Sequence, residues 1–259
     1  MSDFLDVLAR DAERTIKEGY YTSAIECMHK PRSLKEAIRE SNRSPIITEI
    51  KRASPTLGII KESIDVERLA LKMVNGGAVA ISILTEPKNF MGSLNAFVTV
   101  RKRVELPLLM KDVILSRVQI DTASTLGGDV VLLIMALFDR GYGECTLGDM
   151  VEYAHSKGIE VLLEAHTEDE FSSCLDTKAD LVGINNRDLK TFGVDINTTM
   201  RILQKVNPRE KVVVSESGIK TPRDIHVLRT SGAQAFLVGT AIMTAEDIEG
   251  KVKELVMTR

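Results

Sequence analysis

Eight short apolar runs recur along the chain, each nearly continuous in Val, Ile and Leu. They are PIITEI from Pro45, VAISIL from Val79, LPLLMK from Leu106, DVVLLIM from Asp129, IEVLLEA from Ile159, DLVGIN from Asp180, KVVVSES from Lys211 and AQAFLVG from Ala233. Continuous rather than alternating apolarity is what a parallel strand buried on both faces requires. Stretches of helical period lie between the runs. Val66, Leu69, Ala70, Met73 and Val74 form one apolar stripe, stopped by Gly76 and Gly77; Leu147, Met150, Val151 and Ala154 form another, closed by Gly158. Start signals agree: TEDE at Thr167 reads as a capping box with Glu170 reaching back, SLKE at Ser33 as a second, and TPRD at Thr221 as a cap followed by Pro222 at the first helical position. A helix over residues 3–18 and another after Ser33 precede the first run. Eight such units, with no linker or break in composition, predict an α/β fold: a single (β/α)8 TIM barrel domain over residues 1–259 with extra N-terminal helices in an extension, 1–44. An open doubly wound sheet is the rival. It rarely runs to eight uninterrupted parallel units, and no GxGxxG follows the first run.

The length of 259 residues suits one barrel, and 44% apolar residues suit a globular chain with a large core. Lys plus Arg is 34 and Asp plus Glu is 37, for a net charge of −3, and the basic residues are scattered, so no nucleic-acid partner is expected. Cys27, Cys145 and Cys174 are far apart and form no CxxC, which argues against a disulfide framework or zinc site and fits a reducing cytoplasm. The N-terminus is charged and helical in pattern, unlike a signal peptide, and no apolar run approaches the ~20 residues that cross a membrane. His29, His155 and His226 have no partner at ligand spacing, so no metal site is expected.

Barrel sites lie at the C-terminal ends of the strands, and alternation selects the side chains that face the axis. On the first run Ile47, Glu49 and Lys51 share the inner face. On the third Leu109 and Lys111 do, on the fifth Leu162 and Glu164, and on the sixth Gly183 and Asn185, with Arg187 just above. Four ionisable groups, Glu49, Lys51, Lys111 and Glu164, thus converge from three strands, which is costly unless they are paired or used. Either carboxylate–lysine pair alone reads equally well as a structural ion pair. Asp112 and Asp188 are read as loop braces, and His166 as making a structural hydrogen bond, with a substrate contact as the alternative. A second cluster stands at the ends of runs seven and eight: SESGI, with Ser215, Glu216, Ser217 and Gly218, and LVGTAIM, with Gly239 and Thr240. Small residues there, with a short helix after Gly239, suit an anion, although the glycines also suit plain tight turns.

EIKRASP, LPLLMKD, VLLEAHTEDE, GINNRDLKTF, SESGI and LVGTAIM, in this order over nearly the whole chain, closely resemble the indole-3-glycerol phosphate synthase family. The resemblance implies conversion of 1-(2-carboxyphenylamino)-1-deoxyribulose 5-phosphate to indole-3-glycerol phosphate, carbon dioxide and water, in tryptophan biosynthesis, with no metal and no organic cofactor. It implies Lys111 as general acid at the ribulose carbonyl and Glu164 as base and proton relay in the dehydration. Lys51 is the alternative proton donor at individual steps and is also implied as a cation for the substrate's anions, with Glu49 orienting Lys51 or Lys111. Asn185 and Arg187 would hold the anthranilate portion, with Ser54 near its carboxylate; Val113, Leu132 and Glu216 complete the expected substrate-binding set. Ser217, Gly218, Gly239 and Thr240 would cradle the phosphate. The family usually has Phe where this chain has Val113. The segment from Arg52 to Glu62, longer than the usual ~2–6-residue connection, would close over the substrate. A monomer is expected, with a weak homodimer as the alternative. Two other readings keep the barrel: a phosphosugar isomerase or aldolase, the latter using Lys111 as a Schiff base, and a catalytically silent assembly partner.

Overall fold

The computed structural model describes residues 3–22, 26–27 and 29–258. Each of the eight apolar runs holds a strand: Ile46–Ile50, Ala80–Leu84, Leu108–Lys111, Val130–Ile134, Glu160–Ala165, Leu181–Asn185, Val212–Glu216 and Ala235–Val238. Counted in that order as strands one to eight, they pair in parallel with their sequence neighbours, and strand eight closes on strand one. Thr48 lies opposite Val238 on one side and Ile81 on the other, so no edge remains unpaired.

Strict alternation divides the apolar side chains into two layers. Ile46, Ile50, Ile81, Ile83, Leu108, Met110, Leu163 and Phe236 pack outward among the helices. Ile47, Ala80, Leu109, Leu132, Leu162, Leu181, Val214 and Leu237 fill the interior. The predicted helices form at Val66–Asn75 and Leu147–Ser156, ended by Gly77 at φ +93° and Gly158 at φ +72°. A Cβ would strain both positions, which is why glycine stands there.

The extension seals both ends of the interior. Its first helix, Phe4–Lys17, sends Leu5, Leu8, Ala9 and Ala12 into the inner cluster; its second, Leu34–Glu40, sends Leu34 and Ile38 there. The first lies over the C-terminal mouth. Arg140 holds Asp3 and Asp6 at 2.7 Å each, and Phe4 packs edge-on against Phe192 at 4.9 Å. The second lies under the base, where Glu160 at the start of strand five accepts from the Leu34 and Lys35 amides. Two capping expectations change. Ser33 does accept from the Glu36 amide, but Glu160, not Glu36, satisfies the neighbouring amides. Thr167 accepts from the Glu170 amide, yet the Glu170 carboxylate reaches one residue beyond the expected position, to the His166 amide at 2.7 Å. None of the described helices is long and apolar enough to cross a membrane.

Candidate active site

At the mouth, strands one, three, five and seven bring together two lysines and three carboxylates. Lys51 lies 2.6 Å from Glu49 on strand one. Lys111 on strand three reaches Glu164 on strand five at 3.3 Å and Glu216 on strand seven at 2.8 Å. Glu49, Glu164 and Glu216 are almost fully buried, while both lysine side chains keep some exposure at the opening. The crossing from strand three to strand seven depends on Gly183, because a Cβ there would collide with Glu216 Oε1. Gly239 has the same use on strand eight. Its backbone φ is −110°, which any residue can adopt, but a Cβ would run into Glu49 Oε1 and crowd Lys51 Nζ.

The field in this cluster is uneven. Burial works against charge on Lys111, but Glu216, Glu164 and Glu49 outweigh it and raise its pKa above the ordinary lysine value. Burial likewise works to raise Glu164, yet Lys111, His166 and Asn185 hold it below the usual carboxylate value. Burial, with repulsion from Glu164 and Glu49, pushes Glu216 up to about 7 despite Lys111. The result is a protonated lysine beside one firmly ionised carboxylate and one poised near neutrality. Glu216 Oε1 has no hydrogen-bond partner among the described residues. An unpartnered acceptor this deeply buried is a place where a bound molecule gains by supplying a donor.

The other expected residues surround this centre. Asn185 ends strand six, and its Oδ1 accepts from the Arg187 amide. Arg187, half-buried, donates to Phe192 O at 3.2 Å and to Thr56 Oγ1 at 3.4 Å. It thereby ties the loop after strand six to the segment after strand one. That segment is a small antiparallel hairpin, Ala53–Ser54 with Gly58–Ile59. Ser54 is buried and braces it by accepting from the Leu57 amide, while Leu57 and Ile59 stand 57% and 54% exposed. Val113 and Leu132 are buried in the inner cluster below the mouth. Asp188 braces its loop by accepting from the Lys190 and Thr191 amides. Asp112 is a fully buried brace on the outer face. It accepts from Tyr21, Thr85 and the Val113 amide, and burial pushes it up to about 7.

Beyond strand seven, Ser217 and Gly218 both take left-handed backbone, with φ of +68° and +85°. For serine this is a strained conformation, which persists only where the surroundings hold it. Asn186, buried, does so: its Nδ2 donates to Ser217 O and to Ser215 Oγ. A Cβ at Gly218 would strike Val194. Thr240 opens a four-residue helix, Thr240–Met243, after strand eight.

Of the two readings of His166, a structural hydrogen bond or a substrate contact, the structure favours neither alone and sets the ring beside Glu164. Its Nε2 lies 3.3 Å from Glu164 Oε1, on the side of that carboxylate opposite Lys111, and Nδ1 lies 3.6 Å from Glu170. The signal was present in the sequence: His166 is two residues beyond Glu164, the same spacing that picked out Lys51 beyond Glu49.

A closed parallel (β/α)8 barrel with lysines and carboxylates converging at its mouth defines a barrel enzyme of the acid–base type. The comparisons make this specific. The family profile described as indole-3-glycerol phosphate synthase matches residues 6–255. The indole-3-glycerol phosphate synthase of Methanocaldococcus jannaschii is 43% identical over 229 residues, covering 86% of this chain and 83% of the relative. That of Bacillus cereus is 35% identical over 249 residues, covering 96% of each. The chain belongs to the indole-3-glycerol phosphate synthase family. Among solved structures it is similar in fold to a thiamine phosphate pyrophosphorylase from Pyrococcus furiosus (TM-score 0.61, 17% identity, covering 86% of this chain and 96% of that one). An N-acetylmannosamine-6-phosphate 2-epimerase from Clostridium perfringens is similar too (TM-score 0.59, 16% identity, 83% and 93%).

Proposed function

We propose that the chain is an indole-3-glycerol phosphate synthase, a carboxy-lyase that closes the indole ring of 1-(2-carboxyphenylamino)-1-deoxyribulose 5-phosphate with loss of carbon dioxide and water. The observation that carries the mechanism is Lys111, a charged ammonium held between Glu164 and Glu216 at the floor of the mouth. When the ring carbon bearing the carboxylate attacks the ribulose carbonyl, negative charge develops on the carbonyl oxygen. A fixed ammonium in a water-poor site stabilises that charge and supplies the proton. Loss of carbon dioxide returns the bonding electrons to the ring. In the dehydration the hydroxyl leaves as water, and Glu164, with its oxygens shared between Lys111 and His166, handles the protons.

Substrate placement follows from the same geometry. Lys51, held by Glu49, neutralises substrate anions; Asn185, Arg187 and Ser54 hold the anthranilate end, with Glu216 below it, while Val113 and Leu132 back the mouth from within the inner cluster. The left-handed turn at Ser217 and Gly218, beside Gly239 and Thr240 at the end of the neighbouring strand, supports a phosphate subsite, because small residues there leave backbone amides and a hydroxyl open to an anion. Anchoring both ends lowers the entropic barrier to ring closure. The free cysteines support a cytoplasmic setting. Indole fluorescence from the named substrate is the test. No indole product from folded protein, or borohydride trapping of a Lys111 adduct, would favour the aldolase reading.

A further inference from the structure

We propose that His166 is a proton-relay residue, carrying the proton that each turnover consumes from Glu170 at the surface to Glu164 in the closed mouth. This rests on the function proposed above. Proton balance creates the need. The carbonyl oxygen departs as water and so acquires two protons. One is recovered from the sugar C–H lost on forming the indole double bond. The ionised anthranilate carboxylate leaves as neutral carbon dioxide and supplies none. One proton per turnover therefore enters from solvent, while Glu164 and Glu216 are almost fully buried and Lys111 keeps only some exposure at the opening.

The structure contains a single file of titratable groups leading inward. Glu170, on helix Glu168–Leu175, is partly exposed. His166 lies between it and Glu164, with Nδ1 3.6 Å from Glu170 Oε2 and Nε2 3.3 Å from Glu164 Oε1. The first gap is one that a small ring rotation or a bridging water closes. His166 Nε2 is buried and has no well-aligned hydrogen bond among the described residues, so its proton is not committed elsewhere. A merely structural imidazole would be fixed by such a bond. The loop is held independently of the ring, through the His166 backbone amide and Glu170. The ionisable groups facing the imidazole are Glu164 on strand five, Glu170 on the next helix and Glu216 on strand seven, with Lys111 on the far oxygen of Glu164. Three carboxylates favour the imidazolium, which supports the relay though burial opposes it. In the step itself, Glu170, which despite burial the His166 ring and amide hold below the ordinary carboxylate value, takes up a proton from solvent and passes it to Nδ1, and the proton on Nε2 passes to the Glu164 carboxylate. Exchange of the ring proton from Nδ1 to Nε2 through a water then restores the starting tautomer.

His166→Gln keeps an amide near Glu164 but cannot pass a proton through. We expect kcat to fall roughly 10- to 100-fold, the lower part of what a positioned proton carrier supplies, with KM within about twofold. The solvent isotope effect on kcat should rise, and added imidazole should restore turnover to His166→Ala. A kcat within twofold of wild type with an unchanged isotope effect overturns the relay while leaving the synthase reading intact. A wild type that makes no indole fails the synthase reading instead. In that case 15N NMR of the imidazole decides the relay separately. A His166 resonance that titrates above the ordinary histidine value, and falls in Glu170→Gln, supports it; an imidazole that stays neutral from pH 5 to 9 overturns it.

Discussion

The barrel buries a charged cluster at each end, and the two are built in opposite ways. At the base, Asp129 has both oxygens fully engaged. Oδ1 takes His29 Nε2 and the Arg32 amide, each at 2.7 Å, while Oδ2 takes Arg101 at 2.9 Å and the Leu108 amide at 2.8 Å. At the mouth, Lys111 is shared between two carboxylates, Glu216 Oε1 is unpartnered, and His166 Nε2 is poorly aligned. A saturated carboxylate has nothing left to offer a ligand and serves to join the extension to strands three and four. An unsaturated cluster retains the cost of its missing partners until a substrate supplies them. The difference separates a structural ion network from a working one, although both are buried and both mix charges.

The largest expected effect breaks the mouth. Lys111→Ala should lower kcat by about 10²–10⁴-fold in protein whose circular dichroism is unchanged, since Glu216, already raised towards neutrality, takes up a proton rather than unfolding the site. Activity within twofold of wild type would remove Lys111 from the chemistry.

The reverse profile is expected at the base. Asp129→Ala leaves Arg101 buried without its anion and should cost about 3–5 kcal/mol in denaturant unfolding, with kcat of the folded fraction within about twofold. A fall in kcat without loss of stability would erase the distinction between the two ends.

Asp112 is intermediate: three donors satisfy it, but no cation among the described residues pairs with it. Because its folded pKa is raised from 3.8 to about 7, its contribution is fully present below pH ~3.8 and is lost as pH rises towards 7. Asp112→Asn removes this dependence, so its stability relative to wild type should improve between pH 4 and 7 and stay level above, by on the order of 2–4 kcal/mol. Parallel pH-unfolding curves for the two proteins would count against the raised value.

Val113→Phe gives the smallest effect. Val113 is buried in the inner cluster, so the larger ring should overpack it and cost about 1–3 kcal/mol, with substrate Kd unchanged. A severalfold lower Kd would mean that the mouth opens onto Val113 after all and that the ring stacks on the anthranilate.

Local pattern accounts for much of this architecture. The eight runs became eight strands, because a strand buried on both faces cannot be written without continuous apolarity, and the period of two placed Lys111 and Glu164 on one inner layer. The glycine stops and the cap at Thr221 were equally legible, since each acts within a few residues. What tertiary structure alone decided are the relations across the barrel. Lys111 meets Glu216 only because strands three and seven face each other, and only because Gly183 leaves the space between them. Gly239 reads in sequence as a turn or anion glycine, whereas its neighbour in space is the Glu49–Lys51 pair. The extension's apolar helices gave no sign that they would close the two ends of the barrel, and nothing local marked Asp129 as saturated and Glu216 as not. Periodicity reports what lies beside a residue along the chain; whether a buried charge finds enough partners depends on residues a hundred positions away, which only closure of the barrel brings into reach.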